Sequence, residues 1–134
     1  MSRKSARENA YKLIFEYLFN KEKDSFSYNV LLENPNLDKE DVEFISSTYF
    51  GVIDHIDEIT EKIAKNAKGY SLERIYKPDL AALMLAVYEM TFSDTPKTVA
   101  ISEALDLVKA YSTEKSSSFV NGVLASVYKD LSEK

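Results

Sequence analysis

Apolar side chains recur every three or four residues along most of the chain, which is the spacing of one face of an α-helix. Charged residues fill the positions between them, so most segments have one apolar and one solvated face. No segment shows the sustained apolar and polar alternation typical of a half-buried strand, and three glycines and three prolines leave few hairpin turns. The pattern predicts an all-α protein with about seven helices.

The predicted helices begin and end where this periodicity starts and stops. Asp38 and Thr98 are expected to cap two of them, and a bend is expected at Gly51. Helices are predicted over residues 3–21, from 26 to the turn at 34–36, and over 38–67, 78–92, 98–111 and 117–131, with a short turn or helix at 72–75.

Two of these helices depart from the amphipathic pattern. Residues 78–92 are apolar almost all round, which predicts a central buried helix. In the last helix, Asn121 and Gly122 interrupt an apolar face that begins at Phe119. Glycine inside a helix costs about 1 kcal/mol relative to alanine, so we expect a neighbouring backbone packed closely against Gly122.

Chain length and composition favour one small domain. A chain of 134 residues with 45% hydrophobic content has room for a single core, so we assign one domain to residues 1–134. The absence of cysteine excludes disulfides, thiolate metal sites and cysteine nucleophiles. No apolar run is long enough to cross a bilayer or to serve as a signal region. These features predict a cytoplasmic protein without a membrane partner.

Charge is unevenly distributed along the chain. The net charge is −5, yet residues 1–12 carry four basic residues against one acidic residue. Residues 38–61, the acidic flank, carry eight acidic residues against one basic residue. A negatively charged chain does not coat nucleic acid with its whole surface, so any such contact is expected to be local.

Residues suited to catalysis are largely missing. His55 is the chain's single histidine, and there is neither a cysteine nor a glycine-rich phosphate loop. A lone histidine does not complete the usual zinc site, and a solvated helix face explains the carboxylates around it. We therefore expect no enzymatic activity, no metal and no cofactor.

Two stretches favour contact with nucleic acid. Arg3, Lys4 and Arg7 lie at one-turn spacing near the N-terminus, where they oppose the helix dipole. Lys115 lies in a serine-rich loop whose backbone N–H groups are placed to receive phosphate, and Phe119 begins the next helix, where an exposed ring stacks on an unpaired base. Each feature has a simpler explanation. The basic residues can lie at a solvated helix start, the serine-rich loop can be an ordinary helix cap, and the Phe119 ring can belong to the core.

Six motifs occur in order and span nearly the whole chain. They are Ala6-Arg7-Glu8 with Ala10, Gly51 after an aromatic pair, Ser71-Leu72-Glu73-Arg74-Ile75, Val87-Tyr88-Glu89-Met90, Ile101-Ser102-Glu103-Ala104 followed by Val108-Lys109, and Tyr111-Ser112-Thr113-Glu114-Lys115-Ser116 leading to Phe119-Val120-Asn121-Gly122-Val123-Leu124. None is diagnostic alone, but together they resemble the NusB family of bacterial antitermination factors.

The resemblance implies both a fold and a function. The fold is two small helical bundles packed side by side. The function is to bind the boxA element of nascent, single-stranded RNA together with NusE, a small-subunit ribosomal protein, inside a transcription elongation complex with RNA polymerase, chiefly on ribosomal RNA operons. Some family members dimerise and thereby cover their RNA surface, so a second copy of the chain is included among the partners that the resemblance implies.

The resemblance also assigns site residues by motif. Phe15 on the first helix and Asp79 at the start of the central helix stand where contacts to NusE are expected, since an aromatic and an acidic group suit a basic ribosomal protein. Core packing and helix capping explain both residues without a partner. RNA contacts are expected at Arg3, Lys4, Arg7, Lys115, Ser116 and Phe119.

The chain departs from the family pattern in places. Its basic run Arg3-Lys4-Ser5 is thinner than the family's arginine run, and Tyr70 and Met84 stand where tryptophan and arginine are common. Few basic groups predict weak, salt-sensitive RNA binding, so a protein partner is expected. The alternative is a helical protein-interaction module that binds a partner through its acidic flank without RNA.

Overall fold

The computed structural model describes residues 1–133, and all regular structure within them is helical, as predicted. No helix in this range combines the length and the apolar character that a membrane span requires. The helices are α1 (Arg3–Asn20), α2 (Phe26–Leu32), α3 (Lys39–Asp54), α4 (Ile56–Asn66), α5 (Lys77–Phe92), α6 (Lys97–Tyr111) and α7 (Glu114–Ser132), with a 3₁₀ turn at Leu72–Arg74 before α5.

Helix α5 forms the centre of the molecule. Residues 81–87 are all buried because the helix is apolar on every side, which confirms the prediction of a central buried helix. Helices α1 and α3 pack on each other and on α5, while α4, α6 and α7 form a second group around the same helix. The two groups agree with the expected pair of small bundles, and both groups pack against α5.

Side-chain caps determine where α3 and α7 begin. Asp38 accepts a hydrogen bond from the Asp41 N–H at 2.8 Å, and Asp41 accepts one from the Asp38 N–H at 3.1 Å, so the predicted cap is a reciprocal capping box. Thr113 accepts from the Ser116 N–H at 3.2 Å. Because of this cap, α7 begins at Glu114 and not at residue 117 as predicted.

Two predicted helix features are wrong. Thr98 does not cap α6, which already begins at Lys97 and has no side-chain cap. The continuous helix over residues 38–67 is divided at His55, whose backbone leaves helical geometry with φ −111° and ψ 22°. The His55 ring stacks on Phe92 of α5 with centroids 3.9 Å apart, so a tertiary contact marks the interruption, which lies four residues after the bend expected at Gly51.

Gly51 and Gly122 differ in their surroundings. A Cβ atom at Gly51 would lie 2.5 Å from Cε1 and from the hydroxyl oxygen of Tyr88, so glycine lets this α5 side chain lie directly on the α3 backbone. At Gly122, no described atom beyond its immediate helix lies within 4 Å of such a Cβ, and the residue is exposed. The prediction of a close backbone neighbour at Gly122 is wrong.

Candidate nucleic-acid interface

The N-terminal segment is docked on the molecule. The Met1 amine lies 3.5 Å from Oδ2 of Asp41, and the guanidinium carbon of Arg3 lies 4.1 Å from the ring centroid of Phe44. Both contacts are made to α3, so they hold the start of α1 against that helix. Arg3 and Lys4 are nevertheless exposed, and their charges face solvent.

Lys4 connects α1 to α6. Its Nζ donates a hydrogen bond to Oδ2 of Asp106 at 2.8 Å and another to Oε2 of Glu103 at 3.2 Å. The hydrogen bonds to Asp106 and Glu103 raise the pKa of Lys4, because both carboxylates favour the charged ammonium. Of the N-terminal cations predicted to meet RNA, Lys4 is therefore already paired while it remains accessible.

Arg7 belongs to the core and not to the surface. It is 5% exposed, and its guanidinium makes two hydrogen bonds to Glu89 of α5, Nε to Oε1 at 2.8 Å and Nη2 to Oε2 at 2.9 Å. The Thr95 hydroxyl also donates to Oε2 of Glu89, at 3.0 Å. The solvated position expected for Arg7 at the start of the first helix is wrong, because this pairing compensates the burial of its charge. The Nε and Nη2 donors of Arg7, which was expected to contact RNA, are thus both engaged by Glu89.

A network of hydroxyl groups orders the loop between α6 and α7. Ser112 Oγ donates to Oδ1 of Asp79 at 2.6 Å and lies 3.0 Å from Ser116 Oγ. The Ser116 hydroxyl also lies 2.9 Å from Oγ1 of Thr113. Asp79 and Ser116 are both buried. Their side chains are thus engaged inside the protein, where they position the α6–α7 loop and the first turn of α7, which carries Lys115.

A cleft lies between the 3₁₀ turn and the start of α7. Its volume is about 240 Å³. Tyr70, Tyr76 and Phe119 supply aromatic rings to its lining, and Arg74 and Lys115 supply cations. The rings of Tyr70 and Phe119 meet edge to face, with centroids 4.9 Å apart and an interplanar angle of 64°. We call these five residues the aromatic cleft.

The side chains of the aromatic cleft are available to a ligand. Tyr70 and Tyr76 are more than half exposed, and Phe119 is half-buried, so neither the core nor the solvent alone accounts for its position. Within residues 1–133, neither Arg74 nor Lys115 makes an ion pair. Exposed rings provide faces for unpaired bases, and unpaired cations provide charge for phosphate.

The predicted site residues fall into separate places. Lys115 and Phe119 meet in the aromatic cleft, and the buried Asp79 and Ser116 form part of its lining. The remaining predicted residues lie outside its lining; they are Arg3, Lys4, Arg7 and Phe15.

Sequence reasoning did not identify Tyr70, Arg74 and Tyr76 as site residues. A signal existed, because two aromatic residues and an arginine lie close together just after Gly69, whose positive φ of 85° follows the end of α4. Nothing in local spacing places this segment against the start of α7, which lies far along the chain. The packing of α4 and α7 brings the two segments together.

Phe15 contributes to an aromatic surface at the end of α1. It is half-buried and meets Phe19 edge to face with centroids 5.0 Å apart. Phe19 is 61% exposed, and Nζ of Lys77 lies 5.5 Å from its ring centroid. An exposed aromatic pair of this kind suits contact with a protein.

The acidic flank is a solvated surface with no cation site in the described part of the chain. Asp54, Asp57 and Glu61 are exposed and make no ion pair within residues 1–133. No group of three or more histidine or carboxylate side chains in this range is arranged to hold a metal ion. His55 serves the packing of α3 and α4 on α5 through its stack on Phe92.

Comparison with known proteins assigns the family. The sequence pattern of the NusB family matches residues 4–129. The transcription antitermination protein NusB of Finegoldia magna is 42% identical over 130 residues, which cover 96% of this chain and 95% of that protein.

Solved structures give the same assignment. NusB of T. maritima superimposes with a TM-score of 0.86 at 31% identity, covering 97% of this chain and 92% of that chain. A crystal structure of the antitermination factors NusB and NusE in complex with dsRNA matches with a TM-score of 0.83 at 31% identity, covering 96% of both chains. NusB proteins are non-catalytic factors, which confirms that the chain is not an enzyme. By sequence over nearly its full length and by fold, the chain belongs to the NusB family of transcription antitermination proteins.

Proposed function

We propose that this chain binds boxA-type single-stranded RNA jointly with NusE, inside a cytoplasmic transcription elongation complex with RNA polymerase and chiefly on ribosomal RNA operons. The observation that carries the proposal is the aromatic cleft, in which the Tyr70 and Phe119 rings lie beside Arg74 and Lys115, two cations that form no ion pair with any residue of 1–133. Unpaired bases stack on exposed rings, whereas the bases of a duplex are already stacked on each other. The cleft therefore favours a single strand.

Affinity in this proposal comes from cations on two surfaces. Arg74 and Lys115 contact phosphates at the aromatic cleft, and Arg3 and Lys4 contact them at the start of α1. Arg7 supports the start of α1 through its bonds to Glu89 and does not itself contact RNA. So few cations give weak and salt-sensitive binding, which supports a second RNA-binding protein in the complex.

NusE is the proposed protein partner. The related structure of NusB with NusE and dsRNA supports this assignment, since it matches this chain over 96% of its length. Phe15 and the exposed Phe19 form the surface that we assign to NusE. Asp79 accepts a hydrogen bond from Ser112, so its proposed role in binding NusE is to hold the α6–α7 loop in place. A homodimer that covers the RNA surface is the resting state we propose for the chain without RNA.

A second candidate function is a protein-interaction module. The observation that favours it is the acidic flank, where exposed carboxylates such as Asp54, Asp57 and Glu61 lack ion pairs within residues 1–133. A basic partner would complement this surface. Such a module needs no RNA and none of the residues of the aromatic cleft.

Binding measurements separate the two functions. Fluorescence anisotropy of a labelled boxA-like RNA is recorded while the chain is added, with and without NusE, at two salt concentrations. Binding that is strengthened by NusE and weakened by salt supports the RNA-binding function. If no RNA binds under any condition while NusE still binds, the function moves to protein interaction.

A matched pair of variants tests the aromatic cleft itself. Lys115→Met removes a cation from the cleft, and Lys129→Met removes one from the same helix about 21 Å away along its axis. We expect Lys115→Met to weaken RNA binding and to reduce the slope of log affinity against log salt by about 0.7, the value for one phosphate contact on a single strand. Lys129→Met should leave both quantities unchanged. Equal effects of the two variants would contradict the proposed site.

A further inference from the structure

The Lys4 ammonium has a competitor for phosphate within the protein. Its Nζ lies 2.8 Å from Oδ2 of Asp106 and 3.2 Å from Oε2 of Glu103, both on α6. We infer that these two carboxylates compete with RNA phosphate for Lys4 and thereby lower the affinity of the chain for RNA. The inference rests on the proposed RNA-binding function and adds the groups that tune it.

The exposure of these side chains favours competition over a stabilising role. The side chains of Lys4 and Asp106 are 61% and 47% exposed. An ion pair this exposed adds little to the stability of a fold. The same exposure lets a phosphate approach the ammonium from solvent, where it meets two carboxylates that already accept hydrogen bonds from the same group.

Charge repulsion makes the competition effective. An ammonium has three donors, and two of those of Lys4 are directed at α6. A phosphate that takes the place of either carboxylate remains close to both, and like charges at an interface oppose binding. The cost falls on every RNA, so the chain alone binds weakly and depends more strongly on contacts made elsewhere, at the aromatic cleft and by NusE.

Asp106 is the better of the two carboxylates for a test. Glu103 also lies 4.0 Å from Nη1 of the buried Arg7, so its replacement would disturb the core. Asp106 makes its ion pair with Lys4 on an exposed face of α6. Replacing it by asparagine keeps the shape of the side chain and removes the charge.

The competition has a signature in the salt dependence of binding. When Lys4 leaves the carboxylates for a phosphate, the freed carboxylates recruit a cation and offset the counterion that the RNA releases. Removal of the Asp106 charge removes this offset. The slope of log affinity against log salt should therefore steepen by up to about 0.7, the contribution of one phosphate contact on a single strand.

A double-mutant cycle tests the inference. Anisotropy of the labelled boxA-like RNA in the presence of NusE is measured for the wild-type chain, Asp106→Asn, Lys4→Met and the double variant. Glu114→Gln, which removes one negative charge beside Lys115 without contacting Lys4, measures the general effect of charge. We expect Asp106→Asn to bind about twofold to fivefold more tightly, the range of an exposed ion pair, and this gain to vanish in the Lys4→Met background.

The outcomes separate the inference from the function on which it rests. A gain that persists in the Lys4→Met background, or one no larger than that of Glu114→Gln, overturns the inference, because the charge would then act on RNA directly. If the wild-type chain binds no RNA in any condition, the proposed function itself fails and the inference with it. Thermal unfolding of each variant establishes that the fold is retained.

Discussion

Tyr70 and Phe119 meet edge to face with ring centroids 4.9 Å apart, although one follows the end of α4 and the other lies in the first turns of α7. Edge-to-face pairs of this kind fix the orientation of both rings. Because Tyr70 is 53% exposed, the pair presents an ordered aromatic face to solvent and not a buried contact. The proposed stacking of unpaired bases depends on this contact between the Tyr70 and Phe119 rings.

The first prediction concerns Tyr70. Tyr70→Ala should weaken binding of boxA-like RNA by about 1–3 kcal/mol, the range for loss of one base stacked on an aromatic ring. The fold should be little affected, because the side chain is mostly exposed. Anisotropy measures the affinity. The control is Tyr128→Ala, which removes an exposed tyrosine from α7, outside the aromatic cleft. An equal loss of RNA affinity in this variant would contradict a specific role for Tyr70.

A second prediction concerns the buried ion pair. Arg7→Met should lower the free energy of unfolding by about 3–5 kcal/mol, because it leaves the Glu89 carboxylate buried without its partner. Urea denaturation followed by circular dichroism measures this change. The double variant Arg7→Met with Glu89→Met should recover much of the lost stability. A single variant as stable as the wild-type chain, with RNA binding abolished, would instead restore Arg7 to the RNA surface.

The third prediction contrasts two glycines. Gly51→Ala should lower the free energy of unfolding by about 1–3 kcal/mol, because the new methyl group overlaps the Tyr88 ring. Gly122→Ala should raise it by about 0.5–1 kcal/mol, because alanine favours the helix and open space surrounds the position. Chemical denaturation of both variants under one condition measures the difference. Two changes of the same sign would disagree with the packing described for these positions.

A fourth prediction concerns pH. The backbone N–H of Asp38 donates to the Asp41 carboxylate, and this hydrogen bond, aided by the charge of the Met1 amine, lowers the pKa of Asp41. A carboxyl whose pKa is lowered in the folded state stabilises the protein at pH values above the pKa of the same group in the unfolded chain, which is about 4. This contribution is lost as the pH falls through the pKa of the group in the folded state. Urea midpoints of the wild-type chain and Asp41→Asn should therefore differ at pH 7 and converge below about pH 4. A difference that is constant down to pH 2 would exclude this linkage.

Several features could be predicted from the residues because their causes are local. Period-three and period-four apolar spacing is enough to indicate helices, and the all-round apolar composition of residues 78–92 is enough to indicate the central position of α5. Asp38 could be predicted as a cap because its partner, Asp41, lies within one turn. The six motifs identified the family, because their order along the chain can be recognised without knowing which residues are in contact.

The candidate site depended on contacts between distant segments, so only part of it could be predicted. Lys115 and Phe119 were identified because they belong to one motif, whereas Tyr70, Arg74 and Tyr76 gained their meaning only by packing beside it. Arg7 was predicted to face solvent because charged side chains are rarely buried without a partner, and its partner lies on α5.

The residues alone were enough to indicate the helical class, the buried central helix and membership of the NusB family. Tertiary structure alone decided which charges are free: it pairs Arg7 with Glu89 and Lys4 with Asp106 and Glu103, and within residues 1–133 it leaves Arg74 and Lys115 without ion pairs. The physical reason is that helix formation depends on neighbours within a turn, whereas the burial and pairing of a charge depend on whatever residue the fold places opposite it.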